Sequence, residues 1–141
     1  MEIVAYLGAL KSRSLKATPR RKSVIELFLN ERRYLGPYEI RDMLRGKFDR
    51  IGLPSVYRIL EELEGAGILI RIGHEDRRLY YSLCRHPHTD HHHFICRRCK
   101  KVEEVDFCNF REVSRFIEKK LHGEVQRHFL HIEGLCSECK K

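Results

Sequence analysis

Two Cys-x-x-Cys pairs carry the most specific chemistry in this 141-residue chain, Cys96-Arg-Arg-Cys99 and Cys136-Ser-Glu-Cys139. A two-residue spacer lets both thiolates of a pair reach one ion, and four thiolates close the tetrahedral shell of a structural zinc. The 36 residues between the pairs exceed the spacing of a simple zinc ribbon. A strand, a helix and a strand are therefore expected between them, stapled at both ends by one metal. The competing use of such thiols is redox exchange, but neither pair is expected to sit after a strand at the start of a helix, as a thioredoxin-like centre requires.

A second cluster precedes the first pair: His86, His88, Asp90, His91, His92 and His93. Successive side chains of a strand point to opposite faces, so His91 and His93 project one way while Asp90 and His92 project the other. Two separate metal sites can share such a strand. The bland alternative is a solvated polar linker. A zinc hydrolase would also use imidazoles around an open metal position, but no His-Glu-x-x-His motif or general base accompanies them. A purely structural zinc-binding interaction module is the other alternative. A further cysteine, Cys108, falls just before the expected helix and outside any ligand pattern, which suits a structural role.

These groups need a scaffold. Ile3, Val4, Leu7 and Leu10 have the spacing of a short amphipathic helix within residues 1–15. Thr18 followed by Pro19 starts a second helix, with Thr as N-cap, Pro at the first position and Val24, Ile25, Phe28 and Leu29 on its apolar stripe. Gly36-Pro37 turns the chain into a helix over roughly 38–47, with Ile40, Met43 and Leu44 inward. Ser55 caps a further helix, Val56 to Gly65, whose core face is Val56, Ile59, Leu60 and Leu63. The pattern then switches from helical spacing to alternation, in 68–73 and 77–83, which predicts a hairpin turning at 74–77. Three helices and a hairpin are the order of a winged helix-turn-helix, in which the last helix enters the major groove of DNA. Beyond residues 84–93, read as a linker, strands at 94–96 and 102–106, a helix over 109–121 and a strand over 125–133 make a second small unit. The fold class is α+β: a winged helix over 1–83, a hinge over 84–90 and a small α/β metal-binding dimerisation domain over 91–141.

The net charge is +8, with 16 basic and 11 acidic side chains in residues 1–84 and 12 and 9 in the remainder. Both parts are basic, which suits a polyanionic partner held through counterion release. No apolar run approaches the roughly 18 residues that span a bilayer, and the N-terminus lacks the charged-then-apolar order of a secretion signal. A cytoplasmic protein without a membrane partner is expected, where a reducing environment keeps thiols available for metals.

The segments Thr18-Pro-Arg-Arg21, Pro54-Ser-Val-Tyr-Arg58, Glu64-Gly-Ala-Gly-Ile68, Arg78-Leu-Tyr-Tyr81, His91-His-His-Phe-Ile-Cys-Arg-Arg-Cys99 and Gly134-Leu-Cys-Ser-Glu-Cys139 resemble successive blocks of the ferric uptake regulator (Fur) family. The resemblance spans nearly the whole chain. It implies a homodimeric repressor, not an enzyme, whose winged helices read palindromic double-stranded DNA of metal-uptake or stress genes when metal is bound. Tyr57 and Arg58 match the family's DNA-reading positions, and Ser55, at the head of the same helix, is a further DNA-binding candidate. Lys16 and Arg21 are phosphate contacts by position and charge.

The same resemblance implies a regulatory site at the hinge, with ligands that map to His91 and His93. The histidine of iron and peroxide sensors before the second helix is Tyr34 here, and the acidic residue at the end of the wing strand is Tyr81. Cys84 follows three residues later, which is similar to the zinc uptake regulator branch. Thiolate and imidazole suit tetrahedral zinc, whereas iron(II) and manganese(II) regulators lean on carboxylate and imidazole. The fourth ligand is His74 or Asp76 from the wing turn, or Glu104. A third site maps to Asp90, His92 and His128, its acidic position falling on Arg111 with Glu112 adjacent. Zinc is thus expected as structural and as regulatory metal, with iron(II) or manganese(II), as in iron, manganese and peroxide regulators of the same fold, as alternatives.

Overall fold

Helix signals in the first half of the chain act where they are written. The computed structural model describes residues 2–73, 76–85, 91–128 and 130–141, so His74, His86, His88 and Asp90 lie outside the described residues. Helix α1 spans Glu2–Ser12 and α2 spans Pro19–Glu31. Thr18 caps α2 by accepting from the Arg21 backbone N–H at 3.3 Å, with Pro19 at the first helical position, where its missing N–H costs nothing. Helix α3, Pro37–Leu44, starts after Gly36, whose N–H donates to the Glu39 carboxylate. Helix α4, Leu53–Gly65, begins earlier than Ser55: Gly52 is the N-cap, and Pro54 sits in the first turn, where a proline is tolerated. Ser55 is thus inside the helix.

Strands β1, Leu69–Gly73, and β2, Leu79–Leu83, form the antiparallel hairpin, with Leu69 opposite Leu83 and Gly73 opposite Leu79. Leu35 bridges to Tyr81 beside it. The helices and hairpin enclose one apolar core that includes Leu10, Val24, Ile25, Phe28, Ile40, Leu60, Leu63 and Tyr81. Two expected core residues stay outside. Val4 is 66% and Met43 39% exposed, because the buried stripes run through Tyr6 and Leu10 in α1 and through Ile40 and Leu44 in α3.

The second unit is a three-stranded mixed sheet with a helix. Its order is β4-β3-β5, with β3 His92–Cys96, β4 Val102–Val105 and β5 His131–Gly134. β4 pairs antiparallel to β3, β5 parallel to it. Helix α5, Phe110–Phe116, continues as a wider π-type turn through Ile117–Leu121. The strand expected over 125–133 is shorter. Among the described residues of that stretch, the strand is His131–Gly134, paired with His93–Cys96 of β3. The chain divides into compact units Met1–His88 and Thr89–Lys141. No helix among the described residues is long and apolar enough to cross a membrane.

Candidate metal centres and the DNA-reading surface

The two thiol pairs meet at one end of the sheet. Cys96 ends β3, and the chain turns back through Cys99 with the Lys100 N–H donating to the Cys96 carbonyl at 3.0 Å and the Cys96 N–H donating to the Lys101 carbonyl at 2.9 Å. The second pair turns in the same manner, the Cys139 and Lys140 N–H groups donating to the Cys136 carbonyl. Because Gly134 pairs with Cys96, the parallel strand β5 delivers Cys136 beside the first pair. All four sulfurs lie within 4.8 Å of one another. With metal–sulfur bonds of about 2.3 Å, a tetrahedral shell separates its sulfurs by about 3.8 Å. Cys99 Sγ and Cys136 Sγ are 3.8 Å apart. None of the six cysteines is in a disulfide.

The electrostatics of the four thiols also suit a cation. Backbone N–H groups of Cys99 and Cys136 aimed at its sulfur pull the Cys96 thiol down to about 6. The Cys136 N–H lies 3.4 Å from that sulfur. Hydrogen bonding with Cys136, followed by burial, pushes Cys139 up to about 12. Four crowded sulfurs cannot all be anionic unaided, and a divalent ion at their centre removes that obstacle.

A second group forms on one face of β3 and β4. His93 stands directly opposite Glu104 in the antiparallel register, and His91 is two residues before His93. The ring nitrogens Nε2 of His91 and His93 approach to 3.1 Å, and His91 Nε2 lies 3.8 Å from a Glu104 carboxylate oxygen. His93 is buried, and burial first, then neighbouring His91, lowers its pKa to about 4. Its imidazole is therefore held neutral, the form that binds metals. Asp76 is occupied within its own turn, accepting from the Arg78 N–H and the Tyr80 hydroxyl, both at 2.9 Å. His74 is outside the described residues.

Cys84 follows β2 and is fixed by its backbone: its N–H donates to the Ile68 carbonyl, and its carbonyl accepts from the Tyr6 hydroxyl at 3.1 Å. Tyr34 and Tyr81 are core side chains, 3% and 1% exposed, so both positions have been given over to packing.

The third group is on the opposite face of β3 from His93. His92, Cys108 and His128 each offer a ligand atom within 4.8 Å of the others. His92 and His128 were expected together; Cys108 was not. It is exposed, with Sγ 3.5 Å from His128 Nε2, rather than a packed structural thiol. Glu112 is not in the group, and its carboxylate accepts from the Asn109 side chain at 3.2 Å. No local motif announces Cys108, because its neighbours in space lie 16 and 20 positions away in the chain.

The expected DNA-reading residues sit on or near α4. Arg58 and Lys16 are exposed, and Tyr57 and Ser55 are half-buried. Arg21 is committed to an ion pair with Glu62 at 2.8 Å and donates to the Lys16 carbonyl. Arg21 and Glu62, with Arg20, Phe48 and Arg58, line a cleft of about 610 Å³ between α2 and α4. Arg20, stacked over Phe48 at 5.8 Å, is a further basic group that pattern reading passed over.

The profile of the ferric uptake regulator family matches residues 12–133. The chain is 32% identical over 130 residues to a ferric uptake regulation protein of Cupriavidus metallidurans, covering 92% of this chain and 90% of the relative. It is 26% identical over 140 residues to the peroxide operon regulator of Bacillus subtilis, covering 99% and 94%. A solved structure of a zinc uptake regulator complexed with zinc and DNA shares the fold with a TM-score of 0.80 at 23% identity, covering 99% of this chain and 95% of that one. Such proteins regulate transcription and are not enzymes. The chain belongs to the ferric uptake regulator family of metal-responsive, DNA-binding transcriptional regulators.

Proposed function

We propose that this regulator is a zinc-responsive cytoplasmic repressor that binds palindromic operators of metal-uptake genes as a homodimer when its regulatory site is filled. The observation that carries this reading is the convergence of His91, His93 and Glu104 on one face of β3 and β4, while Tyr34 and Tyr81 are spent on the core. Cys84 adds the thiolate in this reading, so the donors are two imidazoles, a carboxylate and a sulfur. That set suits four-coordinate zinc. Cys96, Cys99, Cys136 and Cys139 hold a separate structural zinc, which supplies closed tetrahedral ligation and no open position for chemistry.

Regulation follows from linkage. Ligands that come from both units bind the metal best in one arrangement of the DNA-reading heads, and the differential affinity shifts the population towards it. Arg58, Tyr57 and Ser55 then read bases, while Lys16 and Arg20 bind phosphates, with Arg21 joining them by exchanging its Glu62 partner for a phosphate. Homodimerisation is supported by the apolar groups that the second unit leaves in water, Phe107 at 71%, Phe116 at 58% and Leu121 at 67% exposed.

Two imidazoles and a carboxylate also suit iron(II) or manganese(II), and the curated relatives quoted above are iron and peroxide regulators. The deciding experiment is fluorescence anisotropy on a Fur-type palindromic duplex in buffered zinc, iron(II) or manganese(II), with wild type and Cys84→Ser. Zinc alone at low buffered concentration is expected to promote binding, with the response lost in Cys84→Ser while one tightly held zinc remains. Activation by iron or manganese with Cys84 dispensable would replace the zinc reading.

A further inference from the structure

Strand β2 ends at Leu83, paired with Leu69, and Cys84 is the next residue. Its backbone is held from two directions. The Cys84 N–H donates to the Ile68 carbonyl at 2.8 Å. Ile68 is itself fixed at the exit of α4: its N–H donates to the Leu63 carbonyl at 2.9 Å, directly after Gly67 takes a left-handed turn with φ 76°. On the other side, the Cys84 carbonyl accepts from the Tyr6 hydroxyl at 3.1 Å, a buried bond between residues 78 positions apart.

Tyr6 lies within α1, and its ring belongs to the apolar core together with Ala9 and Leu10. A buried tyrosine turns its hydroxyl towards a partner, and here that partner is the backbone of the residue that supplies the thiolate in the zinc-sensor reading. Helix α1 supplies none of the ligands in that reading. A residue tied at both its N–H and its carbonyl has little freedom in φ and ψ, so the direction of its Cα–Cβ bond, and the arc its sulfur can sweep, are set before any metal arrives.

We propose that Tyr6 is a positioning residue for the regulatory site: its hydroxyl holds Cys84 in the ligating place, which makes α1 part of the zinc response. The inference rests on the reading of Cys84 as a regulatory ligand. When a site is competent in only a fraction of molecules, its apparent affinity falls by that fraction. One neutral hydrogen bond to a buried carbonyl shifts such a population by about two- to tenfold.

Tyr6→Phe removes the hydroxyl and keeps the ring, and Leu7→Ala loosens the packing of α1 while leaving the hydroxyl in place. Both are compared with wild type and Cys84→Ser as full chains that retain the four-cysteine zinc. Two quantities are read: the buffered zinc concentration that gives half-maximal DNA binding, and hydrogen exchange of the Cys84 amide with the regulatory site empty. Tyr6→Phe is expected to raise the half-maximal zinc about two- to tenfold, to reach wild-type DNA affinity once zinc saturates, and to speed exchange of the Cys84 amide by a similar factor. Leu7→Ala should lower the melting temperature and move neither quantity. An unchanged zinc midpoint in Tyr6→Phe overturns the proposal, whatever the amide does. Equal shifts in Leu7→Ala overturn it as well, since packing of α1 rather than the hydroxyl is then responsible. If Cys84→Ser keeps the full zinc response, the zinc-sensor reading falls and this inference with it. If Cys84→Ser abolishes the response while Tyr6→Phe leaves it intact, only the role of Tyr6 falls.

Discussion

The two units solve the problem of holding a small fold together in opposite ways. The first buries a continuous apolar cluster of nineteen residues from four helices and a hairpin. In the second, the buried apolar groups among the described residues are Ile95, Cys96 and Cys136, while Phe107, Val113, Phe116, Leu121, Leu130, Ile132 and Leu135 face water. Burying apolar surface contributes roughly 25 cal/mol per Å², and the second unit has little to bury within one chain. Units of this size commonly gain stability from metals or from a second copy. The contrast is one of burial: the first unit carries its own apolar core, and the second leaves most of its large apolar side chains in water.

Removing metal from the four-cysteine site is expected to have the largest effect. Structural zinc in small domains is worth roughly 10–16 kcal/mol at neutral pH, more than the second unit can replace. Strong chelation under reducing conditions, or Cys136→Ser, should abolish hydrogen-exchange protection over β3, β4 and β5 while the amides of α2 and α4 stay protected. Loss of protection in both units together would show that they fold as one, and that the contrast drawn from burial is false.

The reverse perturbation comes next. Phe28 is 1% exposed at the centre of the first unit's core, and truncating such a phenylalanine typically costs about 3–5 kcal/mol. Phe28→Ala should lower the midpoint of helix unfolding seen by circular dichroism and leave zinc content per chain unchanged. A matching loss of zinc would couple the four-cysteine site to the apolar core.

Sequence and structure agree where local chemistry dictates the outcome. Thr18-Pro19 starts a helix because a capping hydroxyl and a fixed φ act within one turn. The face of β3 was legible because alternation is a property of any strand, whereas Glu104 was one of three options for a fourth ligand until the antiparallel register set it opposite His93. What was not legible depends on distant partners. Gly52 rather than Ser55 caps α4, since both residues are acceptable caps and Pro54 tolerates either register. The start of β5 at His131 depends on where it meets β3, which its own residues do not announce. Cys108 joins His92 and His128 only after a helix and a sheet have been assembled around them, and one-dimensional spacing holds no trace of that.

The smallest expected effect on the chain itself concerns the apolar surface that the second unit leaves exposed. Phe116 ends α5 at 58% exposure, so within one chain its ring contributes little burial to lose. Phe116→Asp should therefore leave the four-cysteine zinc and the monomer's hydrogen-exchange pattern intact. If a second copy covers that face, a buried aromatic anchor is worth about 2 kcal/mol or more, or roughly 30-fold in the dimer dissociation constant. Sedimentation velocity over a concentration series measures this directly. A shift towards monomer, with weaker binding to a palindrome but unchanged binding to a single half-site, would place the covering surface on a second copy. An unchanged dimer would mean that the second unit's missing core is supplied through a different face, and Ile132 and Leu135, on and just beyond β5, would be the next residues to change.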